Sequence, residues 1–374
     1  MGHELGDYLF VAVVAAGITF IFTPIVLVIS RRIGAVDIPD DRKVHAVPTP
    51  TLGGVAIMVG IMGSLMLAST LDRFEGLFFG LDPWPPTELV GIAAAASLIF
   101  VLGVVDDLRG LKAPAKLSGQ LIASGLVVIA GVRLVYFRAP FVGGLTLSPD
   151  LQAIFTILWI VLVVNAVNLI DGLDGLAAGI TSIAAAAFFG YSFLLSRQGL
   201  TVNEPTAPLL SIAIVGATLA FLRFNFNPAK LFMGDSGSMT LGFLLATATV
   251  VGVGRSAPST SQTAVGLFYL PLAIPLIVLA VPLLDTILAV VRRARKGAHI
   301  FHADKQHLHH RLLEIGHGHR QAVLIMYGWA AGIAGLMLAL SFFPNRIYSL
   351  AIAAATLGLF LYTLLPRLGE PPQL

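Results

Sequence analysis

Four short segments hold most of the residues able to do chemistry. Asp106-Asp107 closes a long apolar run, and Asn165-Ala-Val-Asn168-Leu-Ile-Asp171-Gly-Leu-Asp174-Gly closes another. Asn225-Phe-Asn227-Pro-Ala-Lys230-Leu-Phe232-Met-Gly234-Asp235-Ser236-Gly237 precedes and opens a third. The fourth runs from His299 to His310. Neighbouring carboxylates such as Asp106 and Asp107 repel, and desolvation worsens this unless a cation or a shared proton stands between them. They read either as solvated helix-end residues or as a metal- or substrate-facing pair that includes a general base. Asp171 and Asp174 would share one face of a helix at this spacing, while the glycine after each also suits a turn. A turn leaves Asn165 and Asn168 unexplained, because they lie deeper in an apolar run and need partners there. Asp235 or Ser236 could cap the helix that follows. Beside Asn225, Lys230 and Phe232, Asp235 also suits Mg2+, which typically takes one or two carboxylates plus phosphates and water.

The stretch 292–320 holds seven of the nine histidines. His307, His309 and His310 do not follow the i, i+4 spacing of common helical zinc motifs. With Arg292, Arg293, Arg295, Lys296, Lys305 and Arg311 close by, anion binding fits better, since histidines at a helix start meet phosphate oxygens well.

The elements that must position these groups are apolar. The 374 residues are 57% hydrophobic and 11% charged, against about 25% charged for soluble domains. Most of the surface must therefore face lipid. The absence of cysteine removes disulfides, cysteine zinc sites and cysteine nucleophiles. A net charge of +3 gives no reason to expect nucleic acid as a partner. A spanning helix needs roughly 20 mostly apolar residues. Eleven stretches qualify: about 8–30, 52–70, 88–105, 117–135, 151–169, 174–195, 207–223, 238–254, 265–291, 321–342 and 347–365. The first lacks a basic start and a small-residue cleavage site, so it reads as a span and not as a removed signal peptide. Alternating the connecting segments puts 17 Lys and Arg on one side and 6 on the other. The basic side is then cytoplasmic, the N-terminus outside and the C-terminus inside. The fold class is all-α: one integral membrane domain over 1–374. All four chemical segments fall at the inner ends of spans. The inner loops 31–51, 106–116, 170–175, 224–237 and 292–320 form the active site.

Carboxylates, a basic histidine loop and a lipid-embedded scaffold suit phosphoryl transfer between a water-soluble nucleotide and a membrane lipid. An ion-coupled transporter is the rival from another class. Against it, the acids cluster at inner ends instead of the midplane, and the outer loops carry no second gate.

The segments also resemble those of the polyprenyl-phosphate N-acetylhexosamine-1-phosphate transferases. The resemblance covers Asp37-Ile-Pro39 with Arg42-Lys43-Val-His45 and Gly53-Gly54; Gly103-Val-Val-Asp106-Asp107 with Lys116 and Gln120; Asn165 to Gly175; Asn225 to Gly237; and His307 to Arg311. It implies a multi-span helical fold in a bacterial plasma membrane, a UDP-sugar donor and release of UMP. It implies Mg2+, with Mn2+ able to substitute, held by Asp235. Asp106, with Asp107 beside it, becomes the candidate base or a lipid-phosphate residue, and Asp171 and Asp174 line the cleft. Asn225 and Phe232 match positions for uracil. Arg42, Lys43, His45, Lys116, Asn165 and Asn168 are substrate contacts, and His307, His309, His310 and Arg311 form the donor loop. His-Leu-His-His-Arg resembles the branch that uses UDP-GlcNAc with undecaprenyl phosphate, rather than the branch that transfers phospho-N-acetylmuramoyl-pentapeptide. Membrane lipid is the expected surrounding, and the resemblance is compatible with a homodimer.

Overall fold

The computed structural model describes residues 5–39, 47–72, 74–78, 87–139, 143–197, 205–253, 317–342 and 346–364. Among them, helices are α1 Leu5–Ile33, α2 Gly53–Ala68, α3 Glu75–Phe78, α4 Glu88–Arg109, α5 Ala113–Ile129 and α6 Pro149–Leu169. They continue with α7 Leu176–Arg197, α8 Thr206–Asn225, α9 Gly234–Val253, α10 His319–Phe342 and α11 Arg346–Leu364. Two antiparallel strand pairs complete the described chain: β1 Val36–Asp37 with β2 Thr49–Pro50, and β3 Tyr136–Ala139 with β4 Gly143–Thr146.

The chain is a polytopic helical membrane protein. Among the described residues six helices are long and apolar enough to cross a bilayer: α1, α4, α6, α7, α8 and α10. The apolar helices α2, α5 and α11 are shorter. Each expected stretch except 265–291 coincides with a helix, and 265–291 lies outside the described residues. The strand pairs were not foreseen. The stretch 117–135 is cut short at Ile129, after which Gly131 takes a left-handed φ of 95° and the chain turns into β3. Left-handed φ ends a helix, and glycine is the residue that tolerates it.

Burial separates lipid-facing helices from the centre. On α1, Val13, Phe20, Ile21, Ile25 and Ile29 are exposed, as are Ile347, Leu350, Leu357 and Leu361 on α11. Exposed aliphatic faces this long belong against lipid. The centre is α9, buried from Ser236 to Val251 and packed by α2, α4, α6, α7 and α8. A helix enclosed on every side needs no polar face. Its small residues suit close helix contacts in a membrane. The hydroxyls of Thr240 and Thr247 donate to carbonyls one turn back, Ser236 at 2.6 Å and Phe243 at 3.0 Å. That satisfies them where water is absent.

The start of α9 is held tightly. A Cβ on Gly54 would stand 2.1 Å from the Gly237 nitrogen, so α2 lies almost backbone to backbone on α9. The first N–H groups of α2 donate outward, Gly53 to Phe232 O and Gly54 to Met233 O, both at 2.9 Å. Those donors have no partner inside their own helix. Using them ties the segment before α9 to the start of α2.

Candidate active site

The site lies where α4 ends, α5 begins, α6 ends and α9 begins. Lys116, in the first turn of α5, reaches two carboxylates. Its Nζ pairs with Asp106 Oδ2 and lies 2.5 Å from Asp235 Oδ2. Asp106 is 8% exposed, and the side chains of Asp235 and Lys116 are 24% and 28% exposed, so the cluster sits at the edge of the packed interior. The remaining oxygen of Asp106 accepts the Leu111 N–H at 2.5 Å, which anchors the short link from α4 to α5.

Asp235 also accepts from α6. Asn168 Nδ2 donates to Asp235 Oδ1 at 2.9 Å and to Ser238 Oγ at 3.0 Å. Asn165, one turn deeper, instead donates to Gln120 Oε1 at 2.8 Å and to Val161 O at 2.7 Å. The two asparagines thus have partners at depth, but different ones. Asn168 faces the carboxylate cluster, and Asn165 ties α6 to α5.

Asp107 lies beside Asp106 in sequence but faces α9. Its two oxygens accept the Asp235 N–H at 2.7 Å and the Ser236 N–H at 3.1 Å.

Asp171 and Asp174 do not share a helical face. They lie in the turn 170–175 between α6 and α7, so the turn reading describes their local conformation. Asp174 Oδ2 accepts from Asn227 Nδ2 and from the Ala229 N–H, each at 2.9 Å, and so orders the segment after α8. The Asp171 N–H donates to Asn168 O at 3.2 Å, while its carboxyl has no hydrogen-bond partner among the described residues. The residue keeps some exposed surface, but its carboxyl group is densely surrounded. Burial pushes that carboxyl up to about 8, and the charges of Asp235, Asp107 and Asp174 add to the effect. No cation among the described residues offsets this rise.

Asn225 is a brace in this arrangement. Its Oδ1 accepts the Gly175 N–H at 3.1 Å, and its Nδ2 donates to Leu231 O at 3.0 Å. Phe232 joins β2 and α2 through its backbone, its N–H donating to Pro50 O at 2.8 Å. Arg42, Lys43, His45, His307, His309, His310 and Arg311 lie outside the described residues.

Comparison with known proteins gives the family of the chain. The family model for glycosyl transferase family 4 matches residues 89–253, from α4 through α9. The decaprenyl-phosphate N-acetylglucosaminephosphotransferase of Mycobacterium tuberculosis (strain ATCC 25618 / H37Rv) is 38% identical over 98% of this chain and 91% of that protein. The chain belongs to glycosyl transferase family 4. Within the family it also resembles the probable undecaprenyl-phosphate N-acetylglucosaminyl 1-phosphate transferase of Bacillus subtilis (strain 168). That protein is 34% identical over 85% of this chain and 81% of its own length. The undecaprenyl-phosphate alpha-N-acetylglucosaminyl 1-phosphate transferase of Escherichia coli (strain K12) is 28% identical, covering 85% and 80%. These relatives make the chain a membrane enzyme of the sugar-phosphate transferase kind, and the transporter reading falls away.

Three residues at this candidate site were given no role from the sequence. Ser238 accepts from Asn168 and donates to Gly234 O at 3.0 Å. Arg320, at the start of α10, donates through Nε to Asn227 O at 2.7 Å. Tyr327 donates its hydroxyl to Gly175 O. Ser238 follows Asp235 by three residues, a spacing that would have marked a shared helical face. Arg320 lay in the inner loop 292–320 but nothing marked it out there, and Tyr327 carried no signal, because α10 is far from the site in sequence.

Proposed function

We propose that the chain transfers GlcNAc-1-phosphate from UDP-GlcNAc to polyprenyl phosphate, releasing UMP and leaving polyprenyl-diphosphate-GlcNAc. One observation carries the reading. Asp106, Lys116, Asn168 and Asp235 meet at one end of a lipid-facing helical bundle, in a chain whose relatives are named for this transfer. Those names include decaprenyl and undecaprenyl acceptors, and either chain would lie against the exposed apolar helix faces.

In this reading an oxygen of the lipid phosphate attacks the sugar-linked phosphorus of the donor. The new P–O bond forms as the bond to the UMP phosphate breaks, and UMP leaves with the electron pair. Asp106 is the base, or the group that orients the lipid phosphate. Lys116, released from a carboxylate, contacts the diphosphate. Phe232 flanks the uracil, Asn225 acts on that pocket as the brace behind it, and Asp174 shapes the wall beside them. His307, His309, His310 and Arg311 grip the donor. The order His-Leu-His-His-Arg favours UDP-GlcNAc, because Arg311 offers a permanent planar cation to phosphate beside a compact sugar pocket.

The donor set fits Mg2+, with Mn2+ as a substitute. Among the described residues no three Asp, Glu, His or Cys side chains gather as a closed cage. One or two carboxylates, completed by phosphates and water, are the usual Mg2+ arrangement. Asp235 would hold the ion, with the Asp171 carboxyl nearby. Bound there, Mg2+ would neutralise diphosphate charge and polarise the phosphoryl oxygen.

The 17-to-6 distribution of Lys and Arg supports a cytoplasmic site in a bacterial plasma membrane, with eleven crossings, the N-terminus outside and the C-terminus inside. The product suits the first membrane step of a cell-wall or surface glycan. The reading is tested by Asp235→Ala and by chelation. Either should abolish UMP release from UDP-GlcNAc, and Mg2+ or Mn2+ should restore only the chelated wild type. Full activity of the alanine variant would remove Asp235 from the reaction.

A further inference from the structure

Asp107 is adjacent to Asp106, yet it makes no ion pair with Lys116. It instead caps α9 through the N–H of Asp235, 128 residues later. The first N–H groups of any helix lack partners within it, and an anion there also meets the positive end of the helix dipole. Asp107 supplies that anion to α9, one oxygen to the Asp235 N–H and the other to the Ser236 N–H.

The backbone on both sides is shaped for this reach. A Cβ on Gly103, one turn earlier on α4, would stand 2.5 Å from Ser236 Cα. Gly234 has a φ of 71°, and a Cβ there would stand 2.5 Å from Asp107 Oδ2. Any side chain at either position would push α4 from the start of α9 or displace the carboxylate. With both oxygens engaged by the cap, Asp107 faces the backbone of Asp235 and not its carboxylate.

We infer that Asp107 is a positioning residue, a cap lent by one helix to another, which aims the Asp235 carboxylate between Lys116 and Asn168. It acts on the reaction through Asp235. The inference rests on the proposed role of Asp235 as the Mg2+ ligand. Partners that orient a metal ligand typically cost about 10–100-fold in metal affinity when removed.

The test compares Asp107→Asn with Asp107→Ala in the purified full chain in detergent. Mn2+ binding is read by electron paramagnetic resonance, and turnover is read as UMP release. Asparagine has the same length and keeps one acceptor, while its NH2 faces the second backbone N–H, so it should lose only part of both readouts and stay well above alanine. Alanine should lose roughly tenfold or more of both. An asparagine variant that folds yet is as inactive as alanine would overturn the inference, because it would assign Asp107 a proton or a metal bond. An alanine variant equal to wild type would overturn it as well. If Asp107→Ala fails to fold, the asparagine variant decides by itself. If wild type binds no Mn2+, the metal reading alone fails, and the turnover contrast between the two variants still decides the role of Asp107.

Discussion

Lys116 Nζ lies 2.5 Å from Asp235 Oδ2 while it also pairs with Asp106, so one ammonium joins the ends of α4, α5 and α9. Without it, two carboxylates would face each other at the edge of the packed interior. Lys116→Met should therefore destabilise the metal-free protein. A buried pair broken on one side costs about 3–5 kcal/mol. With the lysine side chain 28% exposed, about 1–3 kcal/mol is the expected loss. Added Mg2+ should recover stability, and the rise in thermal midpoint on adding Mg2+ should exceed that of wild type. An equal rise in both proteins would show that the lysine and the metal do not share Asp235.

Asp171 predicts a pH dependence with a definite sign. Its carboxyl is raised from 3.8 to about 8 by burial and by the neighbouring acids. Between those values the unfolded chain has lost the proton and the folded chain keeps it. Stability is therefore full below about pH 4 and declines as pH rises towards 8. Thermal midpoints of the metal-free protein, taken from pH 5 to pH 8, should fall with pH. Asp171→Asn should flatten that decline. An unchanged slope in the variant would exclude Asp171 as its source.

Packing at the start of α9 makes a third prediction. Gly54→Ala would put a methyl group 2.1 Å from the Gly237 nitrogen, where only backbone movement could relieve it. The expected loss is about 2–3 kcal/mol, read as a lower thermal midpoint, together with reduced turnover because Asp235 shifts. Gly125, within α5, has no atom within 4 Å of an added Cβ. Gly125→Ala should be neutral or slightly stabilising. Equal tolerance at both positions would contradict the close contact of α2 with α9.

The proposed orientation can be read by thiol labelling in this cysteine-free chain. Cysteine at Ser148, which is exposed, should react with an impermeant reagent added outside intact cells. Cysteine at Lys112, also exposed, should react only after the membrane is opened. Ser236 is fully buried and would report on burial instead of sidedness. The reverse pattern would place the carboxylate cluster on the outer face.

Much of this arrangement was legible in the residues. Long apolar runs predict helices because an unpaired backbone cannot enter lipid, and ten of the eleven runs are helical among the described residues. Asp106, Asp235 and Asn168 stood out because polar groups at the ends of apolar runs need partners. Their division of labour was not legible. Nothing local separates Asp106 from Asp107, since the difference arises from which side of α4 meets α9. Asp171 and Asp174 fit a helical spacing and a glycine turn equally well, and the folded chain decides for the turn. Lys116 looked like a phosphate contact, because its carboxylate partner on α9 is 119 residues away. β3 and β4 were hidden by apolar neighbours, and β1 and β2, two residues each, are too short to show an alternating pattern.

The most direct measurement supplies the purified protein with Mg2+ and either decaprenyl or undecaprenyl phosphate. It then offers UDP-GlcNAc and UDP-MurNAc-pentapeptide in separate and competing reactions, following UMP and the lipid product. The account predicts UMP release from UDP-GlcNAc, dependent on the lipid phosphate, with one polyprenyl-diphosphate-GlcNAc formed per UMP and little use of the pentapeptide donor. Efficient use of UDP-MurNAc-pentapeptide with little use of UDP-GlcNAc would contradict the proposed donor, and UMP release that needs no lipid phosphate would contradict the transfer itself.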